Sequence, residues 1–90
     1  MISPEALEVF AKYKGDEDDF VRLGTPEEHE VMNLETWGRI EKLVHEAQLV
    51  HSGAAAPEYA ERIRASVAAE CPDPSSRSLF FRVAGVSSFD

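Results

Sequence analysis

The stretch SSRSLFFRVAGVSSFD, residues 75–90, decides the fold class, because it alone in the chain reads two ways. The apolar and aromatic run over 79–86 suits a β-strand by composition. It equally suits a helix with Leu79, Phe80, Val83 and Ala84 on one side. A lone strand would leave its backbone groups without partners unless it paired with another molecule. Nothing else in the sequence alternates as a strand does. A helix satisfies its own backbone, and it has signals at both ends: Asp73 as N-cap, Pro74 in the first position and Gly85 as the stop. The expectation is therefore an all-α protein, a small bundle of four to five helices around one core. It forms a single domain over residues 1–90, with a loose tail over 86–90.

Working back from residue 75, the run Cys71-Pro72-Asp73-Pro74 must interrupt any helix, since a residue before proline is pushed out of the α region. Pro57 opens the helix before it, with Tyr59, Ile63 and Val67 as its stripe and Ala60 and Cys71 beside them. Glu58 and Arg62 stand four apart in the favourable order. The segment GAAA, residues 53–56, reads as a linker or frayed start. Before it lies the longest apolar pattern. Asn33 is placed as an N-cap; Trp37, Ile40, Val44 and Ala47 share one face, with Leu43 and Val50 beside it, and Ser52-Gly53 stops the helix. At the other end of the chain Ser3 caps a helix with Pro4 first and Glu5 at the positive end of its dipole. Ile2 and Leu7 are spaced as a hydrophobic staple. Phe10 and Tyr13 extend the stripe, Lys12 and Lys14 occupy the last turn, and Gly15 is a left-handed stop. The expected core is Phe10, Phe20, Trp37, Ile40, Val44, Ile63 and Val67.

Between these helices lies GDEDDFVRLGTPEEHE, residues 15–30, with seven carboxylates and one arginine. It reads as two helix starts in succession. Asp16 caps a short helix whose first turn is Glu17, Asp18 and Asp19 and whose buried side is Phe20, Val21 and Leu23, ended by Gly24. Thr25 caps the next, with Pro26 following and Glu28 at capping-box spacing. Six of the seven carboxylates then sit at caps or in first turns, where each stabilises by ~0.3–1 kcal/mol against the helix dipole. A calcium loop fails on spacing. Asp16, Asp18 and Glu27 suit its first, third and twelfth positions, but Phe20 and Val21 stand where a ligand and the glycine belong.

The formal net charge is −8 over 90 residues. Phosphates and anionic lipid would be repelled, so neither nucleic acid nor membrane is an expected partner. Arg77 and Arg82 with Phe80 or Phe81 make only a small basic-aromatic patch. A single cysteine, Cys71, excludes an internal disulfide framework. The start, MISPEALEVF, lacks the basic region of a signal peptide, and no apolar run approaches the ~20 residues of a membrane span. The expected location is cytoplasmic.

Tests for chemistry return little. His45 and His51 are six apart and face different sides of a helix. Glu41 and His45 lie one turn apart, the spacing of an ordinary surface pair as well as of two metal ligands. Cys71 precedes a proline at a helix end, where the dipole raises a thiol pKa. No phosphate-binding glycine loop occurs. No catalytic, cofactor-binding or metal-binding residue is therefore assigned, and no cofactor is expected. In length and acidity the chain is similar to the small helical immunity proteins that neutralise bacterial nucleases, although the Tyr-Tyr-Pro motif of the colicin group is absent. The expected function is that of a small acidic, non-enzymatic protein-binding module that neutralises or regulates a basic partner. Asp16, Glu17, Asp18, Asp19, Glu27, Glu28 and Glu30 would form the binding surface. Alternatives are a homo-oligomeric structural or scaffold protein, with the acidic half of one copy meeting the arginines of another, and an enzyme of unknown type. Helix capping and solubility alone would also account for the charge.

Overall fold

A computed structural model describes residues 1–87. Its helices are α1 (Pro4–Lys12), α2 (Glu17–Leu23), α3 (Pro26–Val31), α4 (Leu34–His51), α5 (Pro57–Glu70) and α6 (Pro74–Ala84). No strand occurs among the described residues, and the segment that read two ways is the helix α6. Six helices stand among the described residues where four to five were expected: every helix start read from the sequence, those at Asp16 and Thr25 included, begins a helix of its own. α1, α4 and α6 pack against one another, α5 lies along α4, and α3 rests on α1. No helix among the described residues is long and apolar enough to cross a membrane.

The cap chemistry is local and mostly as read. Ser3 accepts a hydrogen bond from the Ala6 N–H at 3.1 Å, Asp16 from Asp19 at 3.2 Å and Asn33 from Thr36 at 2.7 Å. Thr25 and Glu28 form the reciprocal capping box. Asp73 holds the cap position of α6 but makes no side-chain cap bond. The Cys-Pro-Asp-Pro turn is fastened instead by Arg77, whose guanidinium donates to the carbonyls of Cys71 and Pro72 at 3.2 and 3.1 Å. This use of Arg77, the full burial of Phe80 and the half-burial of Phe81 dissolve the basic-aromatic patch.

α1, α4 and α6 end in paired hydrogen bonds of Schellman type. In α6 the Gly85 N–H reaches the Arg82 carbonyl and the Val86 N–H reaches Phe81, with Gly85 left-handed at φ 72°. Val86 is 9% exposed and belongs to the core, so the expected loose tail does not begin at 86; residues 88–90 lie outside the described residues. α1 ends differently from its sequence reading. Lys14 takes the left-handed position (φ 53°) ahead of Gly15 (φ 73°). A side chain in that conformation costs roughly 1–2 kcal/mol that a glycine there would not.

The core unites Leu7 and Phe10 of α1 with Phe20, Trp37, Ile40, Ile63, Val67 and Phe80, every one of them at most 6% exposed. Val44, expected there, is only half-buried. At its centre Trp37 has Phe10 at 4.7 Å on one side and Phe20 stacked at 4.9 Å. Such ring pairs contribute ~0.5–1.5 kcal/mol beyond burial. Val21 and Leu23, expected on the buried side of α2, are 53% and 60% exposed, and Phe20 is the only residue α2 buries. A helix of two turns resting on the bundle by one ring has no second face to hide them. Tyr59 is likewise exposed; its ring leans out so that its hydroxyl donates to Glu46 at 2.8 Å.

Candidate functional site

The acidic stretch divides into carboxylates that work inside the molecule and carboxylates that face water. Glu28 belongs wholly to the first group. It accepts from the Lys12 ammonium at 2.7 Å, the Tyr13 hydroxyl at 2.6 Å and the Thr25 N–H at 2.9 Å. These donors, Lys12 first and Tyr13 next, hold its carboxyl down to about 2. The same bonds hold the Lys12 ammonium and the Tyr13 phenol above their ordinary values. Glu28, one of the seven residues expected to meet a partner, is thus occupied as a latch between α1 and α3. Tyr13 has a second role, since its ring meets Phe20 edge-on at 5.7 Å and so ties α2 to the same point.

Asp16 is occupied as a cap, and Asp19 pairs with Arg22 at 2.7 Å, an exposed i,i+3 contact of small energetic weight. Glu17, Asp18, Glu27 and Glu30 remain exposed and make no ion pair among the described residues. His29, in the middle of this stretch, lies against Phe20 with ring centroids 4.4 Å apart.

The packing of α3 on α1 brings to one place residues that the sequence keeps far apart. A groove of about 340 Å³ runs between them, walled by Val9 and Val31 and bordered by Glu5, Glu8 and Glu27. Its one cation, Lys12, is bonded to Glu28, so the charges of Glu5, Glu8 and Glu27 are uncompensated there. Val31 is 46% exposed, leaving an apolar wall open to water between carboxylates. Glu5 and Glu8 were not singled out as binding residues. The signal that would have found them is the i,i+3 spacing that puts both on one face of α1.

Elsewhere, Arg39 of α4 makes a forked contact with Glu70 at the end of α5, at 2.6 and 3.1 Å. The Ile2 N–H donates to the Glu70 carbonyl at 2.8 Å, which straps the chain start to the same corner. The Arg39 guanidinium holds the Glu70 carboxyl below its ordinary value. Cys71 is fully buried, and burial pushes its thiol up, with the nearby Glu70 charge adding to the effect. The rise expected from the helix dipole therefore has desolvation as its main cause. Glu41 and His45 both border a larger groove between α1, α4 and α6, and no group of three or more metal-ligating side chains is assembled among the described residues.

Neither a protein-family model, nor a curated protein, nor a solved structure matches this chain.

Proposed function

We propose that the chain is a small non-enzymatic protein-binding module whose partner is a basic, amphipathic segment of another protein. The observation that carries this is the open apolar side chain of Val31, backed by the buried Val9, between the uncompensated carboxylates of Glu5, Glu8 and Glu27. An apolar side chain of the partner would cover the wall, while lysine or arginine residues on either side meet the carboxylates. The exposed Glu17, Asp18 and Glu30 extend the same field and would steer approach more than they hold the complex. Neutralising or regulating such a partner is the natural outcome of covering its basic surface.

The test uses a synthetic Lys/Arg-rich peptide with leucines at helical spacing, titrated calorimetrically at low and at raised salt. Glu5→Gln, Glu8→Gln and Glu27→Gln combined should weaken binding substantially. A charge-matched control, Glu35→Gln, Glu58→Gln and Glu61→Gln, should weaken it far less. Equal losses in the two variants would mean that net charge alone attracts the peptide, and the groove would have no role. The homo-oligomeric reading draws support from a separate observation, the exposure of Val21, Leu23, Val31 and Leu34 within one short segment. Sedimentation equilibrium over a wide concentration range tests it directly.

A further inference from the structure

A second groove, of about 580 Å³, lies at the junction of α1, α4 and α6, and it shares no lining residue with the α1–α3 groove. Its volume is in the range of small-molecule sites, which run from ~300 to ~1,000 Å³. Phe10, Val44 and Val83 supply apolar wall, and Lys14, Arg82 and Glu41 supply charge. Gln48, which also lines the groove, donates to the Ala84 carbonyl at 3.0 Å and so ties α4 to α6.

Two features set this groove apart. On a chain of net charge −8, Lys14 and Arg82 border one cavity and neither forms an ion pair among the described residues. Lys14 is also the one non-glycine residue with positive φ among the described residues. Its backbone position asks for glycine, and the lysine there adds only its side chain, which borders the groove. A residue kept in a strained conformation points toward a use for what it carries.

We propose that this groove binds a small organic monocarboxylate with an apolar body, its carboxylate between Lys14 and Arg82 and its body along Val44 and Val83. The charge balance selects the class. Glu41 offsets one of the two cations, which leaves a single positive charge to meet a ligand, enough to balance a monoanion but not a dianion such as phosphate. Arg82 can grip a carboxylate through two parallel hydrogen bonds, and the apolar wall gives the rest of the molecule somewhere to leave water. The site is separate from the α1–α3 groove and does not depend on a protein partner.

Nitrogen-labelled protein titrated with hexanoate and with phenylacetate provides the test, read by amide chemical shifts. The proposal expects saturable shifts centred on Lys14, Gly15, Val44 and Arg82. Benzyl alcohol, which keeps the apolar body without the charge, and inorganic phosphate should each bind at least roughly tenfold more weakly, a difference of about 1.4 kcal/mol. Lys14→Gly and Arg82→Gln should each weaken the carboxylates by roughly tenfold, the scale of one charge-assisted contact. Lys14→Gly removes the strain with the cation, so it should melt no lower than the parent while binding less. Arg82→Gln, at an exposed site, supplies an independent variant. Absence of saturable shifts with both carboxylates, shifts centred elsewhere, undiminished binding by both variants, or phosphate binding as tightly as the carboxylates would each overturn the proposal.

Discussion

Truncating Phe20 should be among the most damaging single changes in this protein, although it lies on a helix of only seven residues. The ring is completely buried; it stacks on Trp37 with an interplanar angle of 16°, meets Tyr13 edge-on and carries His29 on its other side. Phe20→Ala removes the transfer energy of the ring and leaves a cavity that Trp37 cannot fill alone, for a cost of ~3–5 kcal/mol. A chain of this length has a total stability of roughly 5–13 kcal/mol, at ~0.05–0.15 kcal/mol per residue. The loss is therefore a large fraction of the whole. Phe20→Leu separates volume from aromatic contact. It keeps most of the apolar bulk and gives up ring pairs worth ~0.5–1.5 kcal/mol each, so it should cost about 1–3 kcal/mol. Urea unfolding followed by circular dichroism measures both, and hydrogen exchange should show the amides of α2 losing protection first, because Phe20 is all that α2 buries. An alanine variant destabilised by less than about 1 kcal/mol would refute the claim that this ring holds α2 to the bundle. A leucine variant as damaged as the alanine one would place the whole loss in the ring contacts and refute the volume part of the estimate.

Two more outcomes follow from the same corner of the molecule. Glu28, held down to about 2 by Lys12, Tyr13 and Thr25, contributes stability that is complete above its ordinary carboxylate value of about 4.5 and is lost as pH falls from there toward 2. The urea midpoint of the parent should drop across that interval, and Glu28→Gln should flatten the drop while lowering the midpoint at neutral pH. Gly24→Ala should destabilise by ~1–3 kcal/mol although Gly24 has an ordinary φ of −63°, because a Cβ there would stand 2.5 Å from the Phe20 carbonyl and 2.7 Å from His29 Nε2; an unchanged melt would show that the close approach is not binding on the backbone.

Much of this fold is written in short-range chemistry, and that part could be read without coordinates. Ser3, Asp16, Thr25 and Asn33 accept their hydrogen bonds from N–H groups three residues on, a distance fixed by helix geometry whatever the rest of the chain does. Trp37, Ile40 and Ala47 are buried because a period of 3.6 residues puts them on one face. The sequence by itself thereby determined that the protein is all-α and where its helices begin. What it could not settle are quantities that depend on which faces meet. Val21 and Leu23 carry the composition of core residues yet are exposed, since α2 touches the bundle at one point. Glu28, one carboxylate among seven in its stretch, became an internal latch only because α3 packs on α1 and brings Lys12 and Tyr13 within 2.7 Å of it. The two grooves are of the same kind, each built from residues on different helices whose approach no local pattern encodes. Capping and periodicity act over one or two turns, whereas the pairing of faces is chosen by the burial of the whole core, and that choice is made only in three dimensions.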